Sequence, residues 1–341
     1  MGELKPEALR KQLSAGILDR CYLFYGKERY LMDHYCRTLR LFVLGGEDDP
    51  FNLRRLEGKN LDLWELRDAV DAYPSFAERT LIEVRDYDLF SAKEEAQRQL
   101  TELLTELPEH CCLLFLYDTL EFKPDKRKKK LWELLRDRVT MVEFPLQGQI
   151  ELIRWVQKHF QARNREIGRE EAAYLLFLCG SGMENLANEI GKIAVYAPEK
   201  TVRREDIDAV AVPIAEAQAF KLADALSEKN YEKAAELMYK LFQLNTEPIV
   251  LNAMIGSQLR KLYAALLVKK AEGGVKMLTE LLGSSSDYLP KQYLRIYASF
   301  SEEWYRRMIR LSAETDLRLK STSAVPEDLL RSLFVTMAAE A

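Results

Sequence analysis

The chain has 341 residues, 48% of them hydrophobic and 30% charged, the balance of a globular protein with room for about two or three domains. Its 50 basic and 54 acidic residues leave a net charge of −4, which excludes a chain drawn to nucleic acid by bulk electrostatics. No run approaches the ~20 apolar residues of a membrane helix, and five cysteines without a CxxC pair, beside three histidines, argue against a zinc site and for a reducing cytoplasm.

Pro6 to Ser14 predicts a short amphipathic helix, with Leu9 and Leu13 on one face and Gly16 beyond its end. Cys21 to Tyr25 is an apolar, aromatic run that suits a buried strand. Gly26 turns the chain, and Tyr30, Leu31, His34, Tyr35, Leu39 and Phe42 follow at helical spacing to about Leu44. In nucleotide-driven motors such a strand–turn–helix corner carries the phosphate cradle. That cradle needs GxxxxGK followed by Ser or Thr: glycines that aim N–H groups at phosphate, a lysine for the β/γ-phosphates and a hydroxyl for magnesium. Here the turn reads Tyr25-Gly26-Lys27-Glu28, with one glycine and a carboxylate after the lysine. The corner keeps its shape and lacks those parts.

Residues 45–50 form a loop, and Phe51 to Leu56 is the second expected strand. Asp62 caps a helix with Leu63, Leu66, Val70 and Tyr73 along one face, stopped by Pro74. Thr80 to Val84 is a strand, Ala92 to Leu107 a charged helix, and Cys111 to Tyr117 an apolar run expected of a central strand covered on both faces. Asp125 to Arg138 is a helix, and Val139 to Phe144 a fifth strand. This alternation predicts a parallel sheet with helices on both sides. A motor would end its central strand in an acidic pair. Here Asp118 stands alone as a loop opener, so nothing is placed to hold magnesium or polarise a water, and no catalytic, cofactor or metal residues are assigned. The basic run Lys126 to Lys130 is read as exposed first turns of a helix, with phosphate contact as the open alternative.

Beyond Pro145 the signal is helical throughout: Gln149 to Arg163, Arg169 to Cys179, Asn185 to Tyr196 (Leu186, Ile190, Ile193, Val195), and a short helix from Thr201 through Val210. After Val212-Pro213 come longer helices around Phe220 to Leu226 and Ala234 to Leu241, one from Pro248 through Leu266, then 277–282, 291–300, 302–320 and 326–337. Each carries one apolar stripe, as in an α-bundle.

Four segments, YLFYGKERYL at 22–31, YPSFAERTLIEV at 73–84, ENLANEIGKIAVY at 184–196 and AETDLRLKS at 313–321, with residues 219–248 in step, give the chain an order and spacing that resemble the delta-subunit family of bacterial DNA polymerase III clamp loaders. The resemblance covers nearly the whole chain. It implies an AAA+-like parallel five-stranded core without a working P-loop at 1–144, a helical lid domain at 145–212 and a C-terminal helical collar domain at 213–341. It also implies a non-catalytic, cytoplasmic clamp-loader subunit of the replicative DNA polymerase holoenzyme, with no intrinsic ATPase and no cofactor. Such a subunit binds the sliding clamp (beta) and opens one ring interface for loading onto primed DNA. The implied partners are that clamp, the other loader subunits (ATPase motor subunits and delta-prime) and primer–template DNA within the complex, with no membrane. The implied clamp-binding element is Tyr73, Pro74, Ser75 and Phe76. Phe76 matches the plug aromatic, and Ser75 stands where the family often has a bulky apolar residue. From the residues alone, Tyr73 closing its own helix stripe and Phe76 covering a sheet edge stay open. Arg318 and Lys320 read as cations at a helix end. Two other classes also stay open: a helical scaffold subunit of another assembly, which would not bind the clamp, and a degenerate AAA+ nucleotide-binding enzyme, which would bind magnesium-ATP.

Overall fold

A computed structural model describes residues 3–46, 49–91, 94–243, 247–284 and 286–340. The chain forms two compact units, Met1–Gln147 and Gly148–Ala341.

The first unit runs β1 (Glu3–Leu4), α1 (Pro6–Ser14), β2 (Cys21–Gly26), α2 (Arg29–Leu44), β3 (Leu53–Glu57), α3 (Leu63–Asp71), β4 (Thr80–Arg85), α4 (Glu94–Thr105), β5 (Cys111–Leu116), α5 (Lys129–Arg138) and β6 (Thr140–Phe144). Its strands form one parallel sheet in the order β1-β6-β2-β5-β4-β3. Successive side chains of a strand point to opposite faces, so a strand covered on both sides must be apolar throughout. Tyr22, Phe24, Leu114 and Phe144 therefore pack with α1 and α2 on one face. Cys21, Leu23, Leu113 and Phe115 pack with α3, α4 and α5 on the other. The sheet has six strands where the sequence predicts five: Glu3 and Leu4 pair with Met141 and Val142, too short a segment to carry a periodic signal.

One charge breaks the apolar rule. Glu83, in the middle of β4, is fully buried. Arg40 from α2 donates to both of its carboxylate oxygens, at 2.7 and 2.8 Å, and the Arg55 Nε lies 3.5 Å away. The bidentate fork satisfies a carboxylate that would otherwise be too costly to bury.

Several boundaries move from their sequence expectations. β3 begins at Leu53, which leaves Phe51 outside the strand. α3 ends at Asp71, so Tyr73 is not part of its stripe. α5 begins at Lys129, so Lys126 to Lys128 lie in a turn ahead of it. Glu47 and Asp48 of the expected loop, and Ala92 at the expected start of α4, are outside the described residues.

The second unit runs α6 (Gln149–Gln161), β7 (Glu166–Ile167), α7 (Arg169–Cys179), α8 (Met183–Tyr196), β8 (Thr201–Val202), α9 (Arg204–Val210), α10 (Ala215–Ser227), α11 (Tyr231–Gln243), α12 (Pro248–Lys270), α13 (Val275–Leu281), α14 (Tyr288–Ile296), α15 (Glu302–Ser321) and α16 (Pro326–Ala339). Helices dominate, but Glu166 and Ile167 pair in parallel with Thr201 and Val202, so Thr201 belongs to a strand where a helix is expected. Val195 is 86% exposed, and Ala194 takes the inward position assigned to it. One continuous apolar core joins α10 to α16. At its centre α12 and α15 approach closely: a Cβ at Gly256 would stand 2.8 Å from the Ser312 hydroxyl. The buried Asn252 amide donates to the Ser312 carbonyl at 2.9 Å across the same seam.

Candidate functional site

Two places in the first unit carry the functional expectations: the corner between β2 and α2, and the loop between α3 and β4.

At the corner, Gly26 has φ +133°, and a Cβ there would meet the Phe144 carbonyl oxygen at 2.2 Å. The next turn of chain is bonded to the same group, Glu28 N–H donating to the Phe144 carbonyl at 2.9 Å. The turn is thus closed against the end of β6 by backbone contact. It does not open its N–H groups around an anion, which is the geometry a phosphate cradle requires. Glu28 is buried in this turn, and burial pushes its carboxyl above the usual range, offset in part by the N–H of Tyr30. Asp118 is not a free loop residue: Arg85 Nη1 lies 3.2 Å from one carboxylate oxygen and Arg29 Nε 3.4 Å from the other. The loop it opens is held by Asp86, which accepts from the N–H groups of Asp118, Thr119 and Leu120 and from the Thr119 hydroxyl. Among the described residues, no cluster of three or more His, Cys, Asp or Glu is arranged to hold a metal ion.

Part of the basic run is answered internally. Arg127 pairs with Asp125 at 2.9 Å, and Lys128 donates to the Phe90 carbonyl. Arg127, Lys129 and Lys130 share a cavity of 970 Å³ with Glu94, Glu95 and Glu102 of α4. With Arg98 and Lys128 also in the lining, five bases face three acids among the described residues, which reduce the field that would attract a phosphate backbone without cancelling it.

The α3–β4 loop is different, because it leaves an aromatic side chain, Phe76, wholly in solvent. The chain leaves α3 at Ala72 in an extended conformation, and Pro74, lacking an N–H, prevents the helix from resuming. Tyr73 is 84% exposed and lies flat against His110, with ring centroids 4.7 Å apart and an interplanar angle of 21°. Pro74 is half-buried and Ser75 exposed. Phe76 sits in the left-handed region at φ +55°, and its relative exposure is 111%. It neither covers a sheet edge nor joins the core. A left-handed backbone at a non-glycine residue costs about 1–2 kcal/mol, and such strain clusters at functional positions.

What holds the loop comes from β3's side and was missed by sequence reasoning. Asn52, 2% exposed, accepts from Ser75 N–H at 2.7 Å and donates to the Ser75 carbonyl at 2.9 Å. Asp49 orients it, accepting from the Asn52 amide at 2.8 Å and from the backbone N–H groups of Phe51 and Asn52 at 2.9 and 3.1 Å. The Asn52 side chain first, then these N–H groups, hold the Asp49 carboxyl below its ordinary range. The Asn52 carbonyl accepts from Leu81 N–H at 2.8 Å, which ties the assembly to β4. Phe51, next to this anchor, is 73% exposed. The structure thus places a second exposed aromatic at the neighbour of Ser75's holder. The signal in the sequence was Asp49-Pro50-Phe51-Asn52, an Asx-turn pattern that argues for a loop at Phe51 instead of a strand.

Residues 22–145 match the family model described as DNA polymerase III, delta subunit, and residues 216–337 match the one described as DNA polymerase III delta subunit, C-terminal domain. The chain is 23% identical over 335 residues to the Bacillus subtilis (strain 168) DNA polymerase III subunit delta, covering 95% of this chain and 94% of that one. It is 25% identical over 183 residues to the Aquifex aeolicus (strain VF5) probable DNA polymerase III subunit delta, 52% of each chain. The solved structure of the Bacillus subtilis DNA clamp loader delta protein (YqeN) shares its fold, with a TM-score of 0.59 at 22% identity over 98% of this chain and 99% of that one.

Proposed function

The chain belongs to the DNA polymerase III delta-subunit family, and on that premise we propose that it is the clamp-loader subunit that grips the ring-shaped sliding clamp and holds one ring interface open for loading onto primed DNA. The observation that carries the reading is Phe76: a fully exposed aromatic on a strained, anchored loop. Inserted into a preformed apolar pocket, its ring contributes roughly 2–3 kcal/mol by burial. Tyr73 and Pro74 flank the plug, and Ser75 supplies the backbone by which the loop is held. The work is done by binding energy and not by hydrolysis at this chain's own corner, which agrees with the backbone contact that closes the turn at Gly26.

In this reading residues 1–144 present the plug, 145–212 form a lid, and 213–341 form a collar that packs against the ATPase motor subunits and delta-prime. ATP binding by those motor subunits governs access to the plug. Primer–template DNA is met inside the assembled ring through scattered Lys and Arg, and the working place is the cytoplasm. No described helix is long and apolar enough to cross a membrane.

The test is direct binding of the full chain to the sliding clamp of its own organism by surface plasmon resonance, alongside Phe76→Ala. Saturable binding that collapses in the variant is expected. Absence of binding, or equal affinity in both proteins, overturns the proposal. Calorimetry with magnesium-ATP adds a second arm, where saturable binding with turnover by the isolated chain would point to the nucleotide enzyme instead.

A further inference from the structure

We propose that Asn52 is a positioning residue for the grip: a buried latch that presents Phe76, so that clamp affinity depends on a side chain the clamp never touches. The inference rests on the clamp-gripping reading above.

The geometry is that of a side chain acting as a strand. Through its one amide, Asn52 takes the N–H and gives to the carbonyl of the same residue, Ser75, 23 positions away in sequence. That pair of bonds fixes the peptide units on both sides of Ser75, and so the direction in which the chain enters Phe76. Between Pro74 and Arg79 these two bonds are the only hydrogen bonds among the described residues. Phe76 itself adds no packing of its own to keep the loop in place. Left to itself, a non-glycine residue at φ +55° relaxes toward negative φ, which redirects the ring.

The latch has its own support. An amide that could rotate would exchange its donor and acceptor and break both bonds to Ser75. Asp49 prevents this, because its carboxylate accepts only, and it binds the donor side of the Asn52 amide at 2.8 Å. The Asn52 backbone is meanwhile tied to Asp49 on its N–H and to Leu81 on its carbonyl. The relay runs Asp49 to Asn52 to Ser75 to Phe76, from a turn ahead of β3 to the exposed ring. Its effect is to remove ordering cost from the binding step, which preorganised loops convert into affinity.

A double-mutant cycle on the full chain separates this from a merely structural role. Clamp affinity is measured for the wild type, Asn52→Ala, Phe76→Ala and the double variant, with amide exchange of residues 74–79 followed by mass spectrometry. Asn52→Ala alone is expected to weaken binding about tenfold, equivalent to ~1.4 kcal/mol. In the Phe76→Ala background the same change should cost less than about twofold, because the ring it presents is gone. Exchange at 74–79 should quicken while exchange in β2 and β5 stays slow. Asp49→Ala, which loosens the relay from its partly exposed end, should weaken binding about threefold with the same dependence on Phe76, and it answers the question even if Asn52→Ala does not fold. If Phe76→Ala binds like the wild type, the clamp-gripping reading itself fails. If Phe76→Ala is weak but Asn52→Ala binds normally, or loses as much in both backgrounds, the clamp reading stands and the latch is refuted.

Discussion

Replacing Phe76 by glycine separates grip from stability, because the two should move in opposite directions. In the free chain the ring is wholly exposed, so its removal opens no cavity. The backbone at φ +55° is strained for phenylalanine and ordinary for glycine. Relief of that strain is worth ~1–2 kcal/mol. The greater freedom of glycine in the unfolded chain takes back roughly 0.5–1 kcal/mol. Phe76→Gly should therefore be as stable as the wild type or up to about 1.5 kcal/mol more stable, a rise of at most ~3–6 °C in midpoint for a domain of this size. Phe76→Ala keeps the strained backbone and should stay within about 0.5 kcal/mol of the wild type. Both variants lose the burial of the ring on the clamp, roughly 2–3 kcal/mol, which corresponds to about 30- to 140-fold in affinity. Glycine should sit at the weaker end, since it also loosens the loop. Urea unfolding and clamp binding on the same preparations supply both numbers. A stability loss above about 1 kcal/mol in either variant would show that the ring packs within its own chain, and the reasoning would fall whatever the clamp data said.

Arg40→Ala should destabilise the first unit by ~3 kcal/mol or more, since it strips the fork from a fully buried Glu83 and leaves Arg55 at 3.5 Å as partial compensation; chemical unfolding that shifts by under about 1 kcal/mol would contradict this. Gly26→Ala should cost ~3 kcal/mol or more, because the new methyl stands 2.2 Å from a backbone oxygen at φ +133°; a soluble variant of wild-type stability would show that the corner can open. Burial pushes the Cys111 thiol up to about 11 and the Cys179 thiol up to about 12, and raises Cys21, Cys36 and Cys112 as well. The thiolate is thus disfavoured in the folded state, so this contribution to stability is intact below the unfolded thiol value near pH 9 and declines as pH rises through the folded values. Unfolding free energy should fall between pH 9 and pH 11, and at pH 8 a thiol reagent should label the native chain slowly and all five cysteines once it is unfolded.

What the sequence determined alone was set by local periodicity. Apolar runs such as Cys111 to Leu116 mark strands covered on both faces, helical stripes mark the second unit, and the absence of a glycine-rich turn at Gly26 is plain in four consecutive residues. The loop that carries Phe76 was legible too, because Pro74 comes after the apolar stripe of a helix, where its missing N–H keeps that helix from continuing.

Tertiary structure decided everything that joins residues distant in sequence. The two-residue strands at Glu3 and Glu166 exist only because partners lie beside them. The charge of Glu83 is tolerable in a strand only because Arg40 arrives from another element. Asp118 finds Arg29 and Arg85, and Tyr73 leaves its helix stripe to lie on His110. Whether Phe76 faced solvent or core was not written in its neighbours, since an aromatic after a helix stop serves either purpose. The outcome turned on Asn52 binding Ser75 across 23 residues, and pairings of that kind follow from how the whole sheet packs, which no local window contains.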